Sequence, residues 1–340
     1  MTYALVWFKR DLRWQDHAAL AAAAKQGPVR CIYVIEPELW LQPDAALQHF
    51  EFVRESLQAL NDALHAQGGC VEVHMGELPD VLTRIWQQAP FRQLHAHQET
   101  GNGFTYERDL KVGAWCRAHG VGWYETPQFG VVRVLKNRNL WQAAWERHMA
   151  EPVHHVGALQ FWQPNTRSTA WCSPSEMQAP EHLRHNPPLR QRGGRPLALA
   201  TLQSFLTARS LGYRGGISSP LSAPDACSRL SAYLAWGCIS MREVVQQTRA
   251  QIAQLPPQAT RHRAGLTAFI SRLYWHCHFI QKLESEPEIE LRNMHRGYDG
   301  LREEDFNVAH FEALKAARTG WPMVDACVTM LRETDRKSVV

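Results

Sequence analysis

Ser228 and Ser231 stand three residues apart where a helical pattern begins. At a helix start they would share a face, and hydroxyls beside free amide N–H groups suit phosphate oxygens. Asp225 offers a second reading of the same stretch, as an N-cap that leaves both serines solvated. His276, Cys277 and His278 bring metal-ligand types together. On a helix, however, positions i and i+2 point about 200° apart, so they cannot chelate one ion and no metal is expected. Two other segments would follow short apolar runs: Lys9–Asp16, and His97–Gly103 (HQETGNG), where Gly101 and Gly103 permit tight turns. No GxGxxG follows the first apolar run, so a dinucleotide site of that kind is not supported.

The elements that must position these residues fall into two halves. Within residues 1–130, Tyr3–Phe8, Val29–Ile35, Val71–Met75, Gln93–Ala96 and Gly122–Glu125 read as strands. Helical stretches near 17–26, 47–67, 78–88 and 105–119 lie between them. That alternation predicts an α/β domain with a doubly wound, Rossmann-like parallel sheet, any ligand lying beyond the carboxyl ends of the strands. From about 150 to 198 seven prolines forbid long regular elements. Phe161, Trp162 and Trp171 give that stretch apolar anchors, so residues 131–198 read as an ordered inter-domain linker. After Leu197 the pattern is helical, near 199–209, 225–236, 240–254, 262–284, 304–317 and 322–333.

Composition narrows the class. The 340 residues are 45% hydrophobic and 21% charged, with mean hydropathy −0.37, which describes a globular chain and argues against disorder or a long coiled coil. No apolar run approaches the ~20 residues that span a bilayer. The N-terminus places its charges after its apolar stretch, the wrong order for a secretory signal. Eight scattered cysteines without a CxxC pair suggest neither a zinc ribbon nor a disulfide framework, so a reduced, cytoplasmic protein is expected. The net charge of +4 is uneven: −4 over residues 1–130, +5 over 131–199 and +3 over 200–340. A polyanion would dock on the later segments, although an ordinary solvated basic surface explains the same balance.

Three segments carry a resemblance: VWFKRDLRWQDHAAL (6–20), CSRLSAYLAWGCISMRE (227–243) and RTGWPMVDACVTMLRET (318–334). In this order, with an α/β half before a helical half, they resemble the cryptochrome/DNA photolyase family of blue-light flavoproteins. The resemblance implies a helical FAD-binding domain over 199–340. It places Tyr213, Cys227, Ser228, Arg229, Leu230 and Ser231 at FAD-contacting positions, with Cys227 where a threonine is common. FISRLYWHCHFIQKL (269–283) resembles the helix lining flavin and substrate, which adds Phe269, Arg272 and His276 on the cofactor side. Trp275 and Arg272 fall at lesion-facing positions. Arg272 stands where dimer-specific enzymes have a glutamate, and His276 where an arginine often faces the flavin; a cationic pair there would favour anionic, reduced flavin.

The chemistry implied is light-driven electron transfer. Reduced flavin donates an electron to a pyrimidine dimer in DNA, the dimer splits, and the electron returns. The lesion would be flipped from the duplex, while Arg/Lys contacts to phosphates supply sequence-independent affinity. A second, antenna chromophore of unknown identity is a further expectation. Glu107 and Arg108 resemble part of a folate-contacting segment, but Tyr106 replaces the asparagine expected before that glutamate, and surface use of Glu107 explains it equally well. The resemblance runs through Thr334 and then stops. From this follow expectations of an incomplete helical domain, impaired repair and poor FAD retention, and of a monomer in full-length form. Two alternatives stand beside repair: a blue-light sensor that repairs nothing, and a nucleotide- or nucleic-acid-binding remnant without flavin.

Overall fold

The five apolar runs become five parallel strands in the computed structural model, which describes residues 2–162, 172–218 and 221–334. They are β1 (Ala4–Phe8), β2 (Val29–Ile35), β3 (Val71–Met75), β4 (Gln93–His97) and β5 (Gly122–Thr126), in the order β3-β2-β1-β4-β5. Every residue of β1 and β2 is buried, as a parallel sheet covered on both faces requires. The covering helices are α1 (Ala18–Ala24), α2 (Pro37–Trp40), α3 (Leu47–His65), α4 (Leu78–Gln88) and α5 (Gly103–Ala118). Chain order reverses between β1 and β4, so the segments Lys9–Asp16 and His97–Gly103 flank the crevice at the carboxyl end of the sheet.

No strand follows β5 among the described residues; two isolated bridges, Val29 with Phe161 and Val73 with Cys172, tie the connecting segment to the sheet. That segment holds an element the proline pattern did not reveal. Trp141–Ala150 forms α6, whose Trp141, Trp145 and Met149 enter the core of the helical half. Farther along, Trp162 stacks on Tyr3 at 4.6 Å, with the Arg30 guanidinium 4.8 Å from its ring. Trp171 and the ending after Thr334 lie outside the described residues.

The helical half continues with α7 (Arg195–Thr207), α8 (Tyr213–Gly216), α9 (Ala223–Ala226), α10 (Ser231–Ala235), α11 (Met241–Gln254), α12 (Thr260–Ser285), α13 (Val308–Lys315) and α14 (Pro322–Thr334). The helix expected over 225–236 is therefore two. Pro224 opens α9, Cys227 is extended, and Arg229 turns the chain in the left-handed region (φ 59°) before α10 begins. Asp225 sits inside α9, behind Ser222 at the N-cap, which corrects its reading as a cap. Ser228 precedes α10 and Ser231 is its first residue, so they share no helix face.

The two halves meet over the loop after β1. Asp16 accepts from Ser240 Oγ (2.5 Å), Arg242 (3.0 Å) and the His154 backbone N–H (2.8 Å). Leu12 N–H donates to the Trp236 carbonyl (3.0 Å), and Arg13 donates to that of Gly237 (3.0 Å). Gly237 has φ +64°, and a Cβ there would meet the Arg10 carbonyl oxygen and Asp11 Cα. Gly237→Ala combines left-handed strain with a backbone clash. It is expected to cost about 2–4 kcal/mol, read as a lowered urea midpoint with unchanged slope.

Candidate functional site

One face of α12 forms a wall of the site. Phe269, Arg272, Leu273 and His276 recur at i, i+3, i+4 and i+7 and all line a cavity of about 870 Å3. Trp275 lies roughly 110° around the helix from the middle of that row. It is 45% exposed, packs against His278 and Phe279 (ring centroids 5.3 and 5.7 Å), and is not on the lining.

The second wall is the turn between α9 and α10. Cys227, Ser228, Arg229, Leu230 and Ser231 all line the cavity, beside Tyr213. Arg209 holds the turn from behind, donating to the carbonyl oxygens of Cys227, Ser228 (3.2 Å) and Thr201 (2.7 Å). Gln191 donates to the Arg229 carbonyl (3.0 Å). Burial pushes the Tyr213 hydroxyl up to about 12.

Sequence reasoning missed the third wall, which comes from the α/β half and the connector. Arg10, Trp40, Gln48, Phe52, Arg190 and Trp236 all line the cavity. The Arg10 guanidinium lies 4.9 Å over the Trp236 ring, and Trp236 stacks on Trp40 at 6.3 Å. Arg190 is bound at both nitrogens by Glu55 (3.0 and 2.9 Å), and these bonds hold the Glu55 carboxyl below its usual range despite burial. Arg10 lies in the quoted segment 6–20, and Trp236, which joins this wall from the end of α10, lies in the quoted segment 227–243. Nothing local marks Trp40 or Gln48, which reach the cavity through the packing of α2 and α3.

Arginines, hydroxyls and flat aromatic walls around one cavity suit a ligand carrying both phosphates and rings. With a volume of about 870 Å3 the cavity has room for a large cofactor.

Comparison with known proteins identifies the group. Residues 4–152 match the family DNA photolyase, and residues 269–336 match the FAD binding domain of DNA photolyase. The chain belongs to the photolyase/cryptochrome family. Deoxyribodipyrimidine photo-lyase of Escherichia coli is 24% identical over 98% of this chain and 71% of that protein. Cryptochrome DASH of Synechocystis is 24% identical over 97% of this chain and 70% of its own. Among solved structures, a Synechocystis cryptochrome superposes with a TM-score of 0.80 at 21% identity, covering 99% of this chain and 72% of that one. A photolyase from Sulfolobus tokodaii, solved with two FAD molecules, gives 0.75 at 22%, with 99% and 72% coverage.

FAD is the cofactor of this photolyase/cryptochrome chain, and the residues present fit it. The two serines and Arg229 of the α9–α10 turn suit its diphosphate, and Phe269, His276 and Trp236 offer faces, with charge from Arg272, for its rings.

The crevice at the carboxyl end of the sheet is filled with ion pairs. Arg108 binds Glu36 (3.1 Å), Glu99 (2.7 Å) and Asp109 (2.9 Å), while Lys9 binds Asp109 (3.0 Å). Arg108 is thus committed inside the domain, whereas Glu107 is a surface charge on α5. Burial raises the Glu36 carboxyl to about 7, while Arg108, Lys9 and Arg10 hold the equally buried Glu99 down at about 2.

Asp11, His17 and His97 are grouped as metal ligands might be. His17 Nδ1 accepts from the Leu20 N–H (3.0 Å), so its proton is on Nε2, 2.9 Å from Asp11 Oδ2. His97 Nδ1 donates to the same oxygen (2.7 Å). One hydrogen bond from His97 and one close contact from His17 gather the two rings on a single carboxylate oxygen.

Where the halves join, burial and the neighbouring Arg242 lower His148 to about 4. An unfolded histidine protonates near ~6.5, so the unfolded chain takes up the proton first and stability falls as pH drops from about 6.5 to about 4. His148→Gln is expected to make that decline shallower, measured by urea unfolding at a series of pH values.

Proposed function

We propose that this chain is a light-driven FAD flavoprotein that binds DNA and repairs pyrimidine dimers. The observation that carries the reading is the single cavity joining Tyr213, the Cys227–Ser231 turn, Phe269, Arg272 and His276, within a chain matching the FAD binding domain of DNA photolyase. When bound, FAD supplies blue-light absorption and the electron lent to the dimer. The protein's part is to bind, orient and keep water out. Ser228, Ser231 and Arg229 hold the phosphates; Tyr213 and Phe269, buried and stacked edge to face with Phe205, give a rigid apolar floor. Arg272 provides positive potential on the α12 side, beside the His276 ring. The net +5 of residues 131–199 and +3 of residues 200–340 support docking on DNA phosphates, with an affinity that falls steeply with salt.

A second reading is a blue-light receptor that repairs nothing. Two observations favour it: Trp275 stands off the cavity lining, and Arg272 occupies the lesion-facing position where a carboxylate would accept a hydrogen bond. Under either reading, Ser228→Ala with Ser231→Ala should weaken FAD binding by about 2–4 kcal/mol, from roughly 1–3 for each lost charge-assisted hydrogen bond. Equilibrium dialysis checks it, and unchanged occupancy removes the serines from the phosphate site. Illuminating the flavin-loaded chain with a thymine-dimer oligonucleotide separates the readings. Dimer splitting supports repair; a spectral change in the flavin without splitting supports the receptor.

A further inference from the structure

Arg209 lies behind the α9–α10 turn, bonded to that turn and to α7. Its Nε donates to Ser204 Oγ (2.9 Å), and its two terminal nitrogens donate to the carbonyl oxygens of Cys227, Ser228 (3.2 Å) and Thr201 (2.7 Å). The guanidinium also rests 5.5 Å from the Phe205 ring. Thr201, Ser204 and Phe205 all belong to α7, and Phe205 packs edge to face on Tyr213 and Phe269. One helix therefore frames both the aromatic floor of the cavity and the turn beside it. Arg209 is not itself on the cavity lining, whereas every residue from Cys227 to Ser231 is.

These bonds fix where the donors of the turn point. Its peptide bonds are trans, so each N–H points opposite to the carbonyl of the residue before it. With the Cys227 and Ser228 carbonyls drawn onto Arg209, the Ser228 and Arg229 N–H groups face away from it, to the side of the turn that borders the cavity. The Ser228 N–H meets no acceptor among the described residues. Arg229 is left-handed (φ 59°) and Leu230 right-handed (φ −95°, ψ −5°), an alternation that gathers successive N–H groups into an anion-binding hollow. Burial and then the neighbouring Arg229 cation push the Arg209 guanidinium below its ordinary value, and an anion bound at the turn offsets that repulsion.

We infer that Arg209 is a positioning residue that makes the site select phosphate-bearing flavins: it turns backbone N–H groups of the α9–α10 turn onto an anion, beside the Ser228 and Ser231 hydroxyls. The inference rests on the FAD reading of the cavity. Arg209 touches no ligand itself. It acts through the backbone, and its charge polarises the same peptides so that their N–H ends donate more strongly. Only a planar fork reaches three carbonyls and Ser204 at once; a lysine ammonium in its place keeps the charge and loses the fork.

The test is a titration of the full chain, stripped of cofactor, with FAD and with riboflavin, which has the same flavin rings and no phosphate. Wild type, Arg209→Lys and Arg209→Gln are compared. Both variants are expected to bind FAD about tenfold more weakly and riboflavin within about twofold of wild type, so the preference for the phosphorylated flavin falls about tenfold. FAD and riboflavin weakened by the same factor reduce Arg209 to a structural role and overturn the inference. An FAD dissociation constant within about twofold of wild type in either folded variant also overturns it; for Arg209→Lys, such a value shows that the charge alone suffices. Should Arg209→Gln not fold, Arg209→Lys decides alone. A wild-type chain that takes up no FAD defeats the underlying FAD reading and this inference with it, whereas FAD uptake with unchanged selectivity in the variants defeats this inference only.

Discussion

Buried charge in the loop after β1 is the constraint on which the arrangement of this chain depends. Asp11, Arg13 and Asp16 are all nearly inaccessible to solvent, and a buried ion is tolerable only when paired and hydrogen-bonded. The α/β half satisfies Asp11 with the Lys9 N–H and His97, and sets His17 2.9 Å away. It cannot satisfy Asp16 or Arg13 by itself. Arg13 reaches the Asp16 carbonyl and Asp16 the connector's His154 N–H, and their remaining partners, Ser240, Arg242 and the Gly237 carbonyl, come from the helical half. Hydrogen bonds from Ser240 and the His154 amide, with Arg13 and Arg242, hold the Asp16 carboxyl below its usual range in spite of burial. The halves thus dock in the one register that pairs these groups, and Gly237 allows the backbones to approach closely enough.

That docking places the cofactor cavity. Leu12 and Arg13 bond to the carbonyls of Trp236 and Gly237, which brings Trp236 against Trp40 and Arg10 over its ring. The α/β half so becomes a wall of the FAD site, and the connector completes it with Arg190 and Gln191. A second set of contacts works at the far end of α12. Glu284 accepts from Thr100 Oγ (2.6 Å), and Glu290 accepts from the Gly103 N–H at the start of α5 (2.8 Å), where the helix dipole favours a carboxylate. The carboxyl end of α12, just beyond the row Phe269, Arg272, His276, is thereby tied to the α/β half.

The same loop carries Lys9 into the charge network that fills the sheet's crevice around Arg108. Cations and carboxylates interleave there at 2.7–3.1 Å, each completing the other's bonds. Excess negative charge on residues 1–130 is partly spent in this network, where Glu36 and Glu99 share Arg108 and are driven in opposite directions by their surroundings.

The sequence by itself determined the strand–helix alternation, the switch to helical periodicity after residue 197 and the family, because a two-residue or 3.6-residue apolar rhythm and short motifs are local properties. It also determined the row 269, 272, 276, which is one helix face at any tertiary arrangement. Tertiary structure alone decided the rest. Whether 225–236 is one helix or two depends on the left-handed turn at Arg229, held by Arg209 and Gln191 from other elements. Helix α6, just before the proline-rich stretch, went unread because its identity rests on packing Trp141, Trp145 and Met149 into a distant core. Trp275 has the right residue type for a lesion platform, yet the rotation of α12 turns it off the cavity. Trp40 and Gln48 become site residues only because loop charges buried far away in sequence pull the two halves together, and no local pattern can encode a contact whose cause is the pairing of Asp16 with Ser240 and Arg242.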